Sequence, residues 1–342
     1  MRKITANYLY IGKEGFLKNG ILVLDDENRI QEVIDTKGNF REIANLEYHS
    51  GIIVPGFVDC FCQLEAGGHN ELFHKSMNIA EFYKQFNESY NQSDFVNNAL
   101  VTKGLNQLKF YGTAACADFF SSEASISPKR NSTKAFLNFM QFSDETEEIL
   151  TKQIKRSQSY KNEGMETFPF WDGYCINWNE YLNRSKVTTI AQSSVTTNLV
   201  DLKLEVEKRL VVWDSKKTDI PEQKTLQTFT VLPPRLYQFL YEELPALKDL
   251  QKAPNLCLGT GNLSVHKELS ILEEMKCLQI AFPELSLEEI LKWATLNGAT
   301  ALSKEKTLGS FDLGKQPGVN LITKVDLFNF KLQPESKVKV LV

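Results

Sequence analysis

The sequence predicts a parallel α/β barrel in the middle of the chain and β-strands at both ends. Three observations predict this fold: the length of 342 residues, a middle part in which short apolar runs alternate with helical patterns, and ends rich in β-branched residues. Strands alternating with helices over about 250 residues favour a closed parallel barrel.

The first 55 residues are predicted to form strands. Apolar runs at 20–24 and 29–34 flank the polar segment 25–28, and this pattern predicts a β-hairpin. The run 51–58 predicts another strand. Pro55 within that run favours an edge or a bend, because proline has no backbone N–H for a central ladder.

From residue 59 to about residue 303, short apolar segments alternate with helical patterns. Helices are predicted over residues 100–111, 144–159 and 236–250, and short strands over 112–120, 210–213 and 255–260. Ser286 and Glu289 have the spacing of a capping box, so a helix is predicted to begin there. Its predicted apolar face consists of Ile290, Leu291, Ala294 and Leu302. The Ser-rich segment 121–133 is predicted to be a surface loop.

The last part of the chain returns to strand patterns, at residues 318–323 and 337–342. Neither end has enough strands for a complete domain. We therefore expect the two ends to pair into one small β module, with domain boundaries at residues 1–55, 56–304 and 305–342.

Composition excludes several classes of protein. The chain has 39 Lys and Arg against 43 Asp and Glu, a net charge of −4, so it lacks the basic excess typical of nucleic-acid binders. Its apolar runs are too short to span a bilayer, and its first residues contain no secretory apolar core. Six cysteines in a chain of this length do not suggest a disulfide framework. We expect a cytoplasmic protein with reduced thiols, and no nucleic-acid or membrane partner.

Two stretches carry a resemblance to a known family. One runs Val54-Pro-Gly-Phe-Val-Asp-Cys-Phe-Cys-Gln-Leu-Glu, and the other contains Leu258-Gly-Thr-Gly-Asn, Leu272-Glu-Glu-Met, Trp293-Ala-Thr-Leu-Asn-Gly-Ala and Leu308-Gly-Ser-Phe-Asp-Leu-Gly-Lys. Both resemble the amidohydrolase superfamily, in its deaminase and chlorohydrolase branch. The resemblance implies a (β/α)8 TIM-like barrel with a small β-sandwich domain formed by both chain ends. It also implies hydrolysis of non-peptide C–N bonds by zinc or a similar divalent metal.

The residues that would bind this metal differ here. In the family the first motif reads Pro-Gly-Phe-x-Asp-x-His-x-His, and its two histidines, on the first barrel strand, bind the metal; Phe61 and Gln63 stand at their positions. Because side chains alternate along a strand, we expect Phe61 and Gln63 to point into the barrel and Cys60 and Cys62 to point outward. The cysteines then pack behind the barrel and do not replace the lost ligands.

The other positions where the family has metal ligands are also occupied by different residues. The family's Leu-Gly-Thr-Asp carries the aspartate that takes the proton from the attacking water, and Gly261 stands at its place. Two inner-strand histidines align with Ala191 and Trp213, and a histidine that contacts substrate aligns near Phe170 or Trp171. The only histidines are His49, His69, His74 and His266, so none lies between residues 75 and 265.

Other polar residues near these positions are weaker candidates. Glu65 follows the altered ligand pair and favours a hydrogen-bonding role, and Asp118 at a strand end favours a structural one. His69 and His74, with Glu71 between them, either hold a surface metal or are solvated loop residues, and the second alternative is commoner. His266 lies near the predicted barrel mouth. Core packing explains most of the aromatic residues near strand ends, such as Phe119 and Phe120. If several of them converge on the barrel mouth, they would fill the vacated metal cavity or form a flat apolar pocket.

Three functions follow as hypotheses. The first is a pseudoenzyme without metal, cofactor or catalytic residues, which binds a small molecule at the barrel mouth or a partner protein. The second is an active C–N hydrolase, such as a deaminase, with an atypical site. The third is a structural subunit of an oligomer. Since relatives in this superfamily often pair, we also expect a homodimer. The missing ligands favour the first hypothesis, because metal-bound hydroxide is the nucleophile in this chemistry.

Overall fold

The structure is a computed structural model of the chain. It describes residues 1–12, 14–39, 43–67, 74–75, 77, 81, 85, 98–120, 125–132, 135–141, 147–171, 189–193, 207–213 and 227–342. The chain forms two compact units. The first comprises Met1–Asp59, Gln107–Ala115 and Ser270–Val342, and the second comprises Cys60–Asn106 and Cys116–Leu269.

The strands are, in chain order, β1 (Arg2–Tyr10), β2 (Phe16–Lys18), β3 (Ile21–Leu24), β4 (Ile30–Ile34), β5 (Leu46–Pro55), β6 (Phe57–Cys62), β7 (Thr113–Phe120), β8 (Ala135–Gln141), β9 (Thr167–Trp171), β10 (Thr189–Ser193), β11 (Lys208–Val212), β12 (Gln227–Leu232), β13 (Cys257–Leu258), β14 (Val319–Thr323) and β15 (Lys337–Val340). The helices are α1 (Asn98–Phe110), α2 (Ile126–Arg130), α3 (Glu147–Asn162), α4 (Pro234–Tyr241), α5 (Leu247–Lys252), α6 (Ile271–Ala281), α7 (Leu287–Ala294) and α8 (Leu296–Ala301). A 3-10 turn, Leu64–Ala66, follows β6.

Strands from both ends of the chain form one mixed sheet, in the order β15-β14-β5-β1-β3-β4, with β2 paired to β1. The predicted hairpin is present as antiparallel β3 and β4, and β5 pairs in parallel with β1 and antiparallel with β14. β5 ends at Pro55. This position agrees with the tendency of proline to occur where a strand ends or bends. The prediction that the two ends share a module is therefore confirmed, whereas its sandwich arrangement and the boundaries at 55 and 304 stay predictions.

β6 to β13 form the second sheet, in the sequential order expected of a parallel barrel. β8 to β13 pair in parallel with their neighbours. A parallel bridge between Cys62 and Gly261 joins the first strand to the chain just after the last. The eight strands thus form a nearly closed barrel, as predicted. No helix in the described ranges is both long and apolar enough to cross a membrane.

Two helix predictions and one loop prediction need correction. The predicted helix 236–250 is two helices, because Glu242 has a φ of 64° and ends α4 in the left-handed region. The helix that begins after Ser286, with its Oγ accepting from Glu289 N–H at 3.1 Å, ends at Ala294. Thr295, with φ −132° and ψ −80°, separates α7 from α8. Finally, the predicted loop 121–133 contains α2, because Ile126 and Lys129 are buried.

Candidate functional site

The carboxyl end of β6 meets the segment that follows β13, and we call this contact, between Phe61–Gln63 and Gly261–Asn262, the barrel seam. Two backbone hydrogen bonds hold it: Gly261 N–H donates to Phe61 O at 2.9 Å, and Gln63 N–H donates to Gly261 O at 2.8 Å. Active sites of parallel barrels lie at the carboxyl ends of the strands. The seam therefore lies at the end of the barrel where a functional site is expected.

A pair of side-chain amides crosses the seam. Asn262 Oδ1 accepts from the N–H groups of Ser264, at 3.0 Å, and Val265, at 3.2 Å, so its Nδ2 must face the other way. That Nδ2 donates to Gln63 Oε1 at 2.8 Å. Both side chains are buried, with Asn262 0% and Gln63 1% exposed. The two backbone donors thus fix the orientation of both amides, and the oxygen of Gln63 is already occupied.

The nitrogen of the same Gln63 amide is less well satisfied. Gln63 Nε2 is buried and has no hydrogen-bond partner in the described part of the chain. Leaving a buried donor unpaired costs about 1–3 kcal/mol. The amide pair therefore contributes one buried hydrogen bond, and it also carries the free-energy cost of one unpaired N–H donor.

Gly261 has a φ of 72°, in the left-handed region that glycine adopts without strain. A Cβ added there would lie 3.0 Å from Leu236 Cδ2 and 3.2 Å from Leu236 Cβ. The backbone and the neighbouring α4 both disfavour a side chain at this position. An aspartate at Gly261 would be strained.

Aromatic side chains fill the barrel next to the seam. Phe61 on β6 lies 4.7 Å from Phe119 on β7 between ring centroids, and Phe119 lies 4.9 Å from both Phe139 on β8 and Phe170 on β9. β7 and β9 are two strand spacings apart, about 9.6 Å, so their rings can meet only on the concave side of the sheet. These four residues, called the aromatic cluster, are all fully buried. Phe61 therefore points into the barrel, as strand alternation predicts.

The cysteines on β6 have other neighbours. Cys60 and Cys62 are buried, and Cys62 Sγ lies within 4.8 Å of Cys116 Sγ on β7. The described cysteines form no disulfide. Strand alternation predicts that Cys62 points away from the barrel interior, but it does not predict that Cys116 is its neighbour.

Register shows which inner-strand residues face the aromatic cluster. Ala191 on β10 pairs with Phe170 on β9 and with Leu210 on β11, so these three share one sheet face. Trp213, which the resemblance aligned with an inner-strand ligand, is buried and follows the end of β11, where its N–H donates to Val231 O. The backbone of Trp171 pairs with Gln192, and its side chain lies outside the described part.

A buried ion pair supports the segment after β6. Lys129 Nζ of α2 lies 2.7 Å from both Asp118 Oδ2 and Asn138 Oδ1, with side-chain exposures of 1% for Lys129 and 0% for Asp118. Asp118 Oδ1 accepts from Leu64 N–H at 3.0 Å, in the 3-10 turn that follows Gln63. The structural role expected for Asp118 thus consists of its bonds to Lys129 and to the Leu64 N–H.

The remaining predicted site residues offer little chemistry. Burial, and secondarily the Arg235 charge, lowers the pKa of His266 to about 3, so its imidazole is neutral near pH 7. His266 N–H donates to Asn262 O, next to the seam, whereas its Nε2 is buried with no partner in the described ranges. Glu65 is buried in the 3-10 turn. His74 is exposed, and His69 and Glu71 lie outside the described residues.

Sequence reasoning missed two members of this region, Asn262 and Phe139. Asn262 directly follows Gly261, and an asparagine after a positive-φ glycine is a common turn residue that could have been noticed. Phe139 gave no signal, because one phenylalanine in an apolar strand is typical of any core.

The fold is similar to that of solved deaminases and hydrolases. An aminofutalosine deaminase from Helicobacter pylori matches 97% of this chain and 94% of its own, at 13% identity and a TM-score of 0.68. The zinc-complexed atrazine chlorohydrolase from Arthrobacter aurescens matches 94% and 86%, at 12% identity and a TM-score of 0.71. A guanine deaminase from C. acetobutylicum with bound guanine matches 94% and 90%, at 14% identity and a TM-score of 0.67. No protein-family model and no curated protein sequence matches the chain.

Proposed function

We propose that this chain uses a deaminase-like barrel to bind a small molecule or a partner protein without hydrolysing a C–N bond. The observation that carries the proposal is the chemistry of the seam. The three positions where the resemblance implies metal donors hold the buried ring of Phe61, the occupied amide oxygen of Gln63, and Gly261, which has no side chain.

These residues do not fit a divalent metal. Zinc in proteins binds thiolate, imidazole or carboxylate groups, and catalytic sites use three of them together. The inner-strand position Ala191 adds no donor, and no histidine occurs between residues 75 and 265. These positions therefore lack the donors that a metal-dependent hydrolytic step requires.

The aromatic cluster supports the same proposal. Protein interiors are closely packed, so a position without a metal and its water must be filled by side chains. Phe61 and Phe119 bring two ring systems into contact beside the seam. Such rings favour apolar or stacking contacts over polarisation of a water molecule.

The alternative is an active C–N hydrolase, and the comparisons favour it more directly than they favour a pseudoenzyme. The neighbours named above are two deaminases and a chlorohydrolase, and each is matched over most of its length. An active enzyme would need an atypical site. Glu65, which is buried, and His266, whose Nε2 is buried, are two titratable groups near the seam that such a site would use.

Metal analysis combined with a hydrolysis assay separates the two functions. The protein, purified without metal-affinity resin, is analysed for zinc, iron, manganese and nickel, and is then incubated with aminopurine bases, aminopurine nucleosides and a chlorotriazine. The proposal expects metal well below one equivalent and no release of ammonia or chloride above buffer. A guanine deaminase tested in parallel serves as the positive control.

A stoichiometric metal together with hydrolysis that a chelator abolishes would overturn the proposal. Glu65→Gln distinguishes true activity from a contaminating enzyme, because a contaminant is indifferent to this change. The cytoplasmic location, the homodimer, and the absence of nucleic-acid and membrane partners stay predictions from the sequence.

A further inference from the structure

One phenylalanine projects from the connection between β14 and β15. Phe328 is 92% exposed, more than any other large apolar side chain in the described part of the chain. It lies in the first compact unit, in the segment 324–336. Single apolar residues on a protein surface are ordinary. Phe328 differs from them because hydrogen bonds and a strained backbone hold its loop in place, and because the same connection carries unpaired lysines.

Hydrogen bonds close the loop that carries Phe328. Asp326 Oδ1 accepts from the N–H groups of Phe328 and Asn329, both at 3.0 Å, and Asp326 Oδ2 accepts from Asn329 Nδ2 at 2.8 Å. The backbones of Asp326 and Lys331 bond to each other in an antiparallel bridge. Lys331 Nζ donates to Leu285 O at 2.9 Å, just before α7. The loop is therefore closed on itself and attached to its neighbour.

The backbone of the same loop is strained at Phe330. Its φ of 53° lies in the left-handed region, which a residue with a large side chain avoids. The Phe330 ring contacts Tyr8, at 4.6 Å between centroids, and Phe16, at 5.0 Å, and these contacts hold the conformation. Strain of this kind is common at ligand-binding and switch regions. A loop fixed before binding also loses little conformational freedom when a partner arrives.

Three lysines belong to the same connection. Lys324 directly follows β14, and Lys337 is the first residue of β15, where it pairs with Thr323. Ser336 Oγ donates to Lys324 O at 2.8 Å and so joins the two ends of the loop. Lys339 follows two residues later on β15. All three lysines are exposed, and none of them has an ion pair among the described residues.

The acidic groups of this segment do not neutralise these lysines. Both oxygens of Asp326 accept hydrogen bonds inside the loop, so Glu335 is the exposed carboxylate left in the segment 324–340. Three unpaired ammonium groups thus accompany the Phe328 ring, although the whole chain has a net charge of −4. Interfaces combine a buried apolar centre with a charged rim of complementary sign. The surface that fits this loop therefore has an apolar pocket and an acidic rim.

We propose that the loop around Phe328 is a docking surface for another protein, which receives the ring in an apolar pocket bordered by Asp and Glu side chains. A lipid surface suits it less, because anionic membranes attract clusters of about four to eight basic residues and this loop has fewer. The loop belongs to the first compact unit and the barrel seam to the second. The inference therefore holds whether or not the protein hydrolyses C–N bonds.

Site-specific photocrosslinking identifies the partner. A photoreactive phenylalanine analogue is incorporated in place of Phe328 in the full chain, expressed in its own source cells, and cross-linked proteins are identified by mass spectrometry. Leu313 is the matched control position, because it is 71% exposed in the same unit while the neighbouring Lys315 is paired with Asp312 at 2.8 Å. We expect a protein that cross-links at position 328 and does not cross-link at position 313.

The identified protein, once purified, is the probe for a binding titration. Phe328→Ala should weaken its binding about tenfold or more, whereas Leu313→Ala should leave it unchanged. Lys324→Glu combined with Lys337→Glu should weaken binding several-fold, and replacing an acidic rim residue of the probe with lysine should restore part of that loss. Asp326→Ala should also weaken binding, because it releases the loop and keeps the ring. Wild-type affinity should fall as the salt concentration rises.

Several results would overturn the inference. These are the absence of any cross-link specific to position 328, equal binding of the probe to wild type and Phe328→Ala, and a specific cross-link that joins two copies of this chain. Vesicles with about 30% phosphatidylserine test the lipid alternative. Binding of the wild type but not of Phe328→Ala to these vesicles would assign the loop to a membrane instead of a protein.

Discussion

Asn262 Nδ2 donates a hydrogen bond of 2.8 Å to Gln63 Oε1 and so connects two residues that are 199 positions apart in the chain. The bond joins the end of the first barrel strand to the segment after the last one. It lies where the resemblance implies metal ligands, on Gln63 itself and beside Gly261. A neutral amide pair thus crosses the barrel seam at the position where the resemblance implies a metal.

Asn262→Ala should lower the free energy of unfolding by about 1–3 kcal/mol, because Gln63 Oε1 and the Ser264 N–H lose their partner while buried, and the partly buried Val265 N–H loses its partner too. Chemical denaturation followed by circular dichroism measures the change. Asn39→Ala, at an exposed asparagine, is the control and should stay close to wild type. Equal stability of the two variants would mean that the amide pair does not support the seam.

Gly261→Ala should destabilise the protein more than Gly164→Ala. Both glycines have positive φ, 72° and 82°, and each substitution brings the left-handed strain of about 1–2 kcal/mol. Only the Cβ at Gly261 would also crowd Leu236, because nothing lies within 4 Å of a Cβ at Gly164. The difference between the melting temperatures of the two variants measures the additional destabilisation that the contact with Leu236 causes at Gly261. Gly261→Asp should behave like Gly261→Ala and bring no hydrolysis.

His266 should make the protein less stable in mild acid. Its folded pKa of about 3 lies below its ordinary 6.5, so between these values the unfolded chain binds more protons and the free energy of unfolding falls as pH decreases. The slope from this one group is at most about 1.4 kcal/mol per pH unit. Denaturation curves from about pH 7 to about pH 4.5 should be less pH-dependent in His266→Gln.

Lys129→Met should cost about 3–5 kcal/mol, because it leaves the buried Asp118 carboxylate without its cation. Adding Asp118→Asn to this variant should recover part of the loss, since asparagine can still accept from Leu64 N–H without a charge. The exposed pair of Lys37 and Asp35 gives the control, and Lys37→Ala should cause no measurable change. If the double variant were less stable than Lys129→Met alone, charge burial would not explain the effect.

Phe119→Ala should cost about 3–5 kcal/mol, as it removes the ring that contacts three others and leaves a cavity in the barrel. Phe328→Ala is a matched control, because that side chain is 92% exposed. Urea denaturation compares the two. A Phe119→Ala protein as stable as the control would show that the aromatic cluster does not contribute to the barrel core.

Local features of the fold could be predicted because their causes are local. The hairpin of β3 and β4 follows from two apolar runs around a polar turn, and the start of α7 follows from the Ser286 and Glu289 pair. The ends of α4 and α7 could not be foreseen, because single backbone dihedrals at Glu242 and Thr295 decide them. Helical periodicity continues across both positions and hides the break.

The site was predictable as a set of positions but not as a set of contacts. The resemblance located Phe61, Gln63 and Gly261, and strand alternation gave the direction of Phe61. The partners Asn262 and Cys116 depend on the register between distant strands, which no single stretch of sequence specifies. That is why the cysteine pair and the amide pair appear only in the folded chain.

The pairing of β5 with β14 also affects how the nascent chain must fold. β5 lies between β1 and β14 in the sheet, so its second edge has no partner until the ribosome has made the entire barrel and begun β14. That edge carries Ile52, Ile53 and Val54, the kind of apolar strand on which other chains aggregate. Pairing over so long a stretch of sequence is slow to form. The unpaired edge of β5 is therefore the part of the sheet at which aggregation during synthesis is to be expected.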